Sequence, residues 1–437
     1  MPVSNTQTYR QGHLGGRNIF AVVLGNAFEF YDFGVYAAFA VVIGQKFFPS
    51  TDPYVSLLLS VAVFGVGFIS RPLGGLLLGA YADKHGRKAA MTLTIALMAL
   101  GTAAIGFLPT YDQIGIAAPA LLVLARLVQG FSAGGELGAS TVYLYEAAPA
   151  DRRCLTGSWQ LASQGAASIF VGLLGFAITS LLLPEALASW GWRIPFLLSL
   201  FIIPVGIYIR RNLNETLEHK TAHATTGSVF KALMRNNFPS LVLGIAAFSG
   251  ITITQYFLIY LTSFAINTLK MPASTAQLAN FAVGIITFVF ALIGGWLGDR
   301  FGLRAISIIP RALLLLAIYP IVQILIAEPD ALTLLGGAAL LTAFQAASAA
   351  LMVLLIARSF PRQVRATGLA TAFGLGAALF AGTAQVVFTW LISATGDPIA
   401  PVLYVIAMNL VSLLAIYLMP HAEAAEHVSP PPQPADH

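Results

Sequence analysis

Twelve long apolar stretches constrain what this chain can fold into. They lie at residues 18–44, 54–82, 89–109, 115–145, 155–183, 192–210, 239–268, 276–298, 305–327, 331–357, 364–394 and 399–420. A helix that crosses the hydrocarbon core of a bilayer needs about 20 apolar residues, and the stretches are 19 to 31 residues long. Only 9% of the 437 residues are charged, whereas soluble domains have about 25%. The sequence therefore predicts an all-α membrane protein with twelve transmembrane helices in a lipid bilayer.

One long polar connection, at residues 211–238, divides the twelve stretches six to six. The last residues are polar and rich in Pro and Ala, so they cannot bury enough apolar surface to fold. We predict a cytoplasmic N-terminal segment 1–17, an N-terminal six-helix bundle 18–210, a cytoplasmic linker 211–238, a C-terminal six-helix bundle 239–420 and a disordered cytoplasmic tail 421–437.

The distribution of Lys and Arg indicates the orientation in the membrane. Seventeen of the 23 lie in the N-terminal segment and in the connections after even-numbered helices, and three lie in the opposite connections. Lys and Arg concentrate on the cytoplasmic side of membrane proteins. We therefore expect both termini in the cytoplasm and a multi-pass protein of the cell (inner) membrane.

The loops after the second and eighth helices resemble each other. They read DKHGRK from Asp83 and DRFGLR from Asp299, and the two aspartates are 216 positions apart. A second match, between the segments that begin at Pro149 and Pro361, has an offset of 212. Repeated halves with a site at their interface are typical of transporters. We predict two pseudo-symmetric bundles, and the repeat argues against a membrane enzyme or a receptor.

Charged residues in the repeated loops are candidates for closing the cytoplasmic entrance. They are Asp83, Arg87, Lys88, Asp299 and Arg300. Small residues let the flanking helices approach closely, so that these charges can bind helix ends of the other half. The alternative is an ordinary basic loop that follows the charge rule.

The first apolar stretch contains two carboxylates. At 100° per residue, Glu29 and Asp32 lie on one face of a helix, together with Asn26 and Tyr36. A carboxylate in hydrocarbon is costly, and two so close together do not both ionise easily. We expect Glu29 and Asp32 to exchange a coupling proton. The alternative is a structural ion pair with Arg126.

Further polar side chains in the apolar stretches are candidates to line a cavity. We assign substrate binding to Arg126, Arg71, Tyr31, Gln160, Gln164, Tyr256 and Arg311, and proton coupling to Glu29, Asp32 and Glu136. For the glutamines and Tyr256, the alternative is hydrogen bonding between helices. For Arg311, the alternative is snorkelling to the cytoplasmic surface.

Several classes of function find no support in the sequence. The single cysteine, Cys154, excludes an internal disulfide framework. No His, Cys or acidic residues in the apolar stretches have the spacing of metal ligands. We therefore expect no enzymatic activity, no metal and no cofactor. The net charge of +5 reflects membrane topology rather than nucleic acid binding, and we expect a monomer.

Five motifs carry a resemblance to a known family. They are GNxxExYDF from Gly25, RPLGG from Arg71, the loop that ends at Lys88, RLxQGFSxGxExG from Arg126 and GWRIPF from Gly191. Together they resemble the metabolite:H⁺ symporter family of the major facilitator superfamily over essentially the whole chain. The resemblance implies the major facilitator fold and proton-driven uptake of organic acids or zwitterionic osmolytes by alternating access.

A finer likeness within that family is to the citrate and tricarballylate symporters. It rests on SWQxASQ from Ser158, LGAY from Leu78, ELGxxxVYL from Glu136 and TGD from Thr395. We therefore expect uptake of a di- or tricarboxylate, citrate or tricarballylate, with H⁺. Arg126, helped by Arg71 and Arg311, offsets the substrate charge in this hypothesis, while Gln160, Gln164 and Tyr256 orient carboxylates.

Other hypotheses remain open at this point. They are a proton symporter of 2-oxoglutarate, shikimate or a betaine- or proline-type osmolyte, and a transporter-like sensor that binds without turnover. One departure concerns Arg358, which stands where the superfamily usually has an acidic residue ahead of Pro361.

Overall fold

The structure is a computed structural model that describes residues 16–85, 87–134, 144, 148–201, 203–204, 235, 237–361 and 365–419. For residues 16–22, 76, 79–80, 82–85, 87–92, 150 and 365–367 it describes the backbone alone. Every regular element in these residues is helical.

We number the α-helices of the described residues in chain order. They are α1 (Gly16–Ala38), α2 (Ala40–Phe47), α3 (Pro53–Ile69), α4 (Arg71–His85), α5 (Arg87–Phe107), α6 (Tyr111–Ile114), α7 (Ala117–Ala133), α8 (Arg153–Leu181), α9 (Pro184–Ser189), α10 (Ile194–Ser199), α11 (Phe238–Asn267), α12 (Ala273–Phe301), α13 (Leu303–Ala327), α14 (Ala331–Arg358), α15 (Arg365–Gly376), α16 (Gly382–Thr395) and α17 (Ala400–Leu418). Short 3₁₀ turns lie at Ala150–Arg152 and Gly191–Arg193, and a π-helical segment, Ala377–Ala381, joins α15 to α16.

Most of the predicted spans are present as helices. Within the described residues, eight helical spans are long and apolar enough to cross a membrane, and the bent pair α1 and α2 makes a ninth. Shorter apolar helices lie at Leu93–Phe107 and Ala117–Ala133. These elements match eleven of the twelve predicted stretches. The sixth stretch contains α10, and most of its remainder lies outside the described residues.

The first predicted helix is bent, which the sequence did not indicate. Residues Val23–Ala38 and Ala40–Phe47 meet at 61°, because Phe39 leaves the helical region with φ −106° and ψ 14°. The bend lets α2 pack on α3. At that contact a Cβ on Gly44 would lie 2.7 Å from the carbonyl oxygen of Ser56, so only glycine permits this approach.

Helices from the two ends of the chain cross at glycines. A Cβ on Gly65 of α3 would lie 2.0 Å from the carbonyl oxygen of Gly382 in α16. Likewise, a Cβ on Gly284 of α12 would lie 2.4 Å from the backbone nitrogen of Ile169 in α8. The backbones are therefore in direct contact, as small residues permit inside membranes. These crossings pack helices of the N-terminal half against helices of the C-terminal half.

The molecule exposes apolar side chains and buries polar ones. Leu316 and Leu332 are 76% and 80% exposed, whereas Arg126, Gln129 and Arg311 are completely buried. Large exposed apolar surfaces mark contact with another apolar phase. This distribution fits helices that face lipid on the outside and surround polar groups on the inside.

Candidate functional site

A central cavity of about 120 Å³ lies between helices of the two halves. From the N-terminal half, α1, α3, α4 and α8 line it. From the C-terminal half, α11, α12, α14, α15 and the π-helical segment do so. The polar lining side chains are Arg71, Gln160, Gln164, Ser168, Thr252, Gln255, Tyr256 and Asn280, and the phenylalanines are Phe30, Phe33, Phe64, Phe68, Phe248 and Phe373. A mostly apolar cavity with aromatic side chains and a few polar groups is typical of a small-molecule site.

Arg71 is the one charged side chain among the described residues that line the cavity. It is 5% exposed, and its Nη2 lies 3.7 Å from Oε1 of Glu29. The rings of Phe33 and Phe68 lie 4.4 and 4.3 Å from the guanidinium carbon. The two rings and the carboxylate therefore hold the guanidinium at the cavity wall.

Arg126 contacts the other buried carboxylate of α1 through a glutamine. Its guanidinium donates to Oε1 of Gln129 over 2.7 Å and to the carbonyl of Phe64 over 3.3 Å. Gln129 in turn donates to Asp32 and, over 2.9 Å, to Thr102. Arg126 is completely buried and is not among the described residues that line the cavity. The two carboxylates thus have different arginine neighbours, and the ion pair considered for Arg126 forms between Glu29 and Arg71.

Phe33 contacts both arginines. Its ring centroid lies 4.4 Å from the guanidinium carbon of Arg71 and 4.7 Å from that of Arg126. Because an aromatic face attracts cations, this ring lowers the cost of holding two positive groups close together. The sequence motif contained Phe33 but did not reveal this contact.

Both predicted glutamines of α8 lie in the cavity wall, and one of them also joins α8 to α1. Gln160 and Asn26 join α8 to α1 through a hydrogen bond from Nε2 of Gln160 to Oδ1 of Asn26 over 2.7 Å, and Asn26 donates to the Gln160 carbonyl over 3.1 Å. Gln160 also lines the cavity, as do Gln164 and Tyr256. The ring of Tyr256 packs on Phe64 and Phe68, with centroids 5.9 and 5.6 Å apart.

Tyr31 and Arg311 were predicted to bind substrate, but neither is among the described residues that line the cavity. Tyr31 is two residues from Glu29, about 200° around the helix, and its hydroxyl donates to the Pro195 carbonyl over 3.1 Å. Arg311 neither reaches the cavity nor snorkels, because it is completely buried inside the C-terminal half.

Arg311 belongs to a polar network that corresponds to that of Arg126. It donates to Oε1 of Gln345 and, over 3.1 Å, to Oδ1 of Asn409. Asn409 donates to Thr254 over 2.8 Å, and Gln345 donates to the carbonyl of Ile251 over 2.9 Å. Gln345 lies 216 positions after Gln129, the offset of the repeated loops. Gln345 was not predicted as a site residue, although adding the repeat offset to the number of Gln129 would have identified it.

The predicted gating residues are described in part. Both carboxylate oxygens of Asp299 accept backbone hydrogen bonds at the start of α8, from Cys154 over 2.8 Å and from Leu155 over 2.9 Å. This contact joins the C-terminal half to the N-terminal half. The guanidinium of Arg300 lies 5.6 Å from the ring of Trp296. The side chains of Asp83, Arg87 and Lys88, and all of Glu136, lie outside the described residues.

Several lining residues were not predicted. Asn280, Phe248 and Phe373 line the cavity, but nothing in their sequence neighbourhood distinguishes them from other residues of apolar helices. The π-helical segment also borders the cavity through Ala377 and Ala381, and such segments are frequent at functional sites. Within the described residues, no cluster of His, Cys, Asp or Glu could hold a metal ion.

Comparison with known families gives one match. The model of a family described as sugar (and other) transporter matches residues 18–228 and 210–427. The two matches overlap in the segment that was predicted to link two halves.

Curated relatives match nearly the whole chain. A citrate-proton symporter of Klebsiella pneumoniae is 37% identical over 387 residues, which cover 88% of this chain and 87% of the relative. A citrate-proton symporter of Salmonella typhi is 36% identical, with coverage of 94% and 95%. A putative proline/betaine transporter of Staphylococcus aureus strain COL is 35% identical, with coverage of 92% and 87%.

Solved structures match the fold. The crystal structure of a D-xylose-proton symporter superposes with a TM-score of 0.77 at 17% identity, covering 93% of this chain and 98% of that one. The Escherichia coli fucose:proton symporter superposes with a TM-score of 0.61 at 15% identity, covering 92% and 98%. At such low identity the likeness concerns the fold alone.

Proposed function

The chain belongs to the sugar (and other) transporter family of the major facilitator superfamily, and we propose that it imports a di- or tricarboxylate, citrate or tricarballylate, together with protons. The predicted fold class, an all-α membrane protein with the major facilitator fold, is confirmed by the family match and by the structural likeness to the D-xylose symporter. Alternating access of a central site to the two sides of the membrane is the mechanism that such duplicated folds use.

One observation carries the proposal. The cavity between the two halves has Arg71 in its wall, and a buried carboxylate, Glu29, lies 3.7 Å from that guanidinium. A guanidinium binds carboxylates strongly, with geometry that suits two parallel hydrogen bonds. A buried carboxylate that gains and loses a proton beside it provides the coupling. Two relatives named citrate-proton symporter, at 36–37% identity, support citrate as the substrate.

The structure supports a division of roles among the predicted residues. In our proposal, Arg71 binds a substrate carboxylate, and Gln160, Gln164 and Tyr256 orient the remainder from the cavity wall. Glu29 carries a coupling proton. Asp32 is a second protonatable carboxylate. Gln129 donates a hydrogen bond to it and accepts one from Arg126.

We also propose roles for the remaining predicted residues and segments. Glu136 assists proton transfer, and Asp83, Arg87, Lys88, Asp299 and Arg300 close the cytoplasmic entrance. We further propose the predicted halves 18–210 and 239–420, joined by the cytoplasmic linker 211–238, with segments 1–17 and 421–437 in the cytoplasm. The molecule acts as a monomer in the cell (inner) membrane, needs no cofactor and changes no covalent bond of its substrate.

Proteoliposomes test the proposal. Vesicles that contain the purified chain, given an acidic outside and a neutral inside, are expected to accumulate labelled citrate above the outside concentration. Collapse of the gradient with a protonophore is expected to stop accumulation, and Glu29→Gln to abolish it. Glu185→Gln, an exposed carboxylate, is the matched control and is expected to behave as wild type. Citrate uptake that ignores the gradient would contradict proton coupling.

A second substrate class is favoured by the aromatic cavity wall. Six phenylalanines and one described cation also suit a betaine- or proline-like osmolyte, whose carboxylate would bind Arg71 while its ammonium group faces aromatic rings. The putative proline/betaine transporters among the relatives agree with this alternative. Competition of unlabelled citrate, 2-oxoglutarate, shikimate and betaine against one labelled substrate separates the two classes.

A further inference from the structure

The contacts of Arg71 leave part of its guanidinium without hydrogen bonds. Nε and Nη2 have no hydrogen-bond partner, although the side chain is 95% buried. The nearest carboxylate oxygen, at 3.7 Å, is an ion-pair contact beyond hydrogen-bond distance. Buried N–H groups without partners cost free energy, and an acceptor that enters the cavity would lower that cost at Arg71.

The aromatic neighbours of Arg71 restrict where that acceptor can come from. Phe33 and Phe68 cover the guanidinium at 4.4 and 4.3 Å, and neither ring can accept a strong hydrogen bond. Arg71 itself lines the cavity, whereas Glu29 is not among the described lining residues. An anion that enters the cavity can therefore reach Arg71 directly, without passing Glu29 in the cavity wall.

These contacts place two anions in competition for one cation. With Arg71 the only described charge in the cavity wall, a substrate carboxylate has no other described guanidinium to bind there. Arg126 is not among the described lining residues, and it already donates to Gln129 and to the Phe64 carbonyl. Ionised Glu29 therefore weakens the attraction of Arg71 for a second carboxylate.

We propose that Glu29 is an internal competitor of the substrate: ionised Glu29 holds Arg71, and protonation of Glu29 releases the guanidinium to bind a substrate carboxylate. This inference rests on the proposed function and specifies how the site couples the two ligands. The proton passes from outside water to the Glu29 carboxylate before or with substrate binding, and returns to cytoplasmic water when the substrate leaves. No covalent bond of the substrate forms or breaks.

The groups that face Glu29 determine how protonation acts on it. Among the described residues, Arg71 on α4 pairs with Glu29, and Arg126 on α7 contacts the same Phe33 ring as Arg71. Asp32 on α1 and the Tyr256 hydroxyl on α11 are further titratable groups near this pair. The helices α3 and α10 carry no acidic or basic side chain. In α8 the only titratable side chains are those of its first two residues, Arg153 and Cys154. Asp32 is held separately by Gln129 and by Ser199, which donates over 3.3 Å. Glu29 is therefore the carboxylate that competes at Arg71.

The predicted effect is a pH-dependent affinity. If the substrate binds only when Glu29 is protonated, the apparent Kd rises about tenfold per pH unit above the titration of Glu29, because the competent fraction falls by that factor. Glu29→Gln removes the competitor while keeping its size. The ratio of wild-type Kd to Glu29→Gln Kd should therefore increase as the pH is raised from 5 to 7.5.

Calorimetric titration of the full chain in lipid nanodiscs tests this inference, with citrate and betaine as separate probes. At each pH the probe has the same ionisation state in the titrations of wild type and of Glu29→Gln. The ratio of the two Kd values therefore reports the effect of Glu29 alone. Glu185→Gln is the control and should give a ratio of one throughout. In buffers of different ionisation enthalpy, wild type should take up more protons per bound substrate than Glu29→Gln, and the difference should increase with pH. Thermal unfolding of every variant verifies that it is folded.

A double variant shows whether the effect acts through Arg71. In an Arg71→Gln background, Glu29→Gln should bring no gain in affinity at pH 7.5, and a gain that persists there would overturn the inference. A Kd ratio that stays constant with pH while citrate or betaine binds would also overturn it and leave the proposed function intact. A folded wild type that binds neither probe at any pH would overturn both.

Discussion

Three arginines of the described helices are buried, and their guanidinium groups have different partners. Arg71 lines the cavity, and two of its guanidinium nitrogens, Nε and Nη2, lack hydrogen-bond partners. Arg126 and Arg311 are completely buried and donate to the amide oxygens of Gln129 and Gln345. The presence of an arginine in an apolar helix therefore does not show that it binds substrate. The neighbours of its guanidinium group decide whether a substrate can reach it.

Conservative substitution separates these roles. Arg71→Lys keeps the charge but loses the planar fork that binds a carboxylate through two bonds, so we expect the citrate KM to rise about tenfold or more. Arg311→Lys, the matched substitution away from the cavity, should leave KM within about threefold and instead lower the unfolding temperature, because the Gln345 and Asn409 oxygens lose donors. Uptake kinetics and thermal unfolding measure both effects. A larger KM change for Arg311→Lys would return Arg311 to the substrate site.

Close crossings of helices depend on single glycines. Gly65→Ala would place a Cβ 2.0 Å from the backbone oxygen of Gly382, and a helix backbone cannot move aside locally. We expect the variant to lose most citrate uptake and to unfold at a lower temperature. Gly336→Ala is the control, since nothing lies within 4 Å of its added Cβ; alanine there favours the helix by about 1 kcal/mol. Equal behaviour of the two variants in uptake and unfolding would show that the crossing does not matter.

The start of α8 depends on an aspartate from the other half. Loss of a helix cap costs about 0.5–2 kcal/mol, which corresponds to a shift of about 2- to 30-fold in an opening equilibrium. Asp299→Ala should therefore speed maleimide labelling of Cys154, the single cysteine of the chain, whose backbone N–H donates to Asp299 and which is 5% exposed. The labelling rate in membranes is the measurement.

A second helix cap provides the control for that experiment. Asp330 caps α14 by accepting from Thr333 over 2.7 Å, and it lies at the other end of its helix from the Cys154 region. Asp330→Ala should leave the Cys154 labelling rate unchanged. Equal acceleration by both substitutions would mean that general loosening of helices, and not an entrance closed by Asp299, exposes the cysteine.

The sequence pattern predicted the helices well, but it did not predict which charged side chains of different helices lie together. Apolar length located eleven stretches that are helical in the described residues, because only a helix satisfies its own backbone in lipid. It did not reveal the bend at Phe39, where no proline or glycine marks a break. It placed Glu29 and Asp32 on one face, yet could not assign Arg71 to one and Arg126 to the other, since that choice depends on how α1, α4 and α7 pack.

At the scale of the whole molecule, hydrogen bonds join the two halves at both ends. At one end, Asp299 binds the start of α8. At the other, Nε2 of Gln277 donates to the carbonyl of Ala38 over 2.8 Å, and the hydroxyls of Tyr54 and Thr268 lie 3.5 Å apart. The cavity lies between these two sets of contacts. Alternating access requires that each set break while the other remains.

This arrangement predicts that a substitution which opens one end of the molecule favours closure of the other end. Gln277→Ala removes one hydrogen bond at the end away from Cys154, worth about 0.5–1.5 kcal/mol. It should shift the population toward the state open at that end and slow maleimide labelling of Cys154 by about 2- to 13-fold. Asp299→Ala should accelerate the same labelling, and the double variant should fall between the two. If Gln277→Ala also accelerates labelling, the halves open independently, and rocking of two bundles about a shared cavity would not describe this molecule.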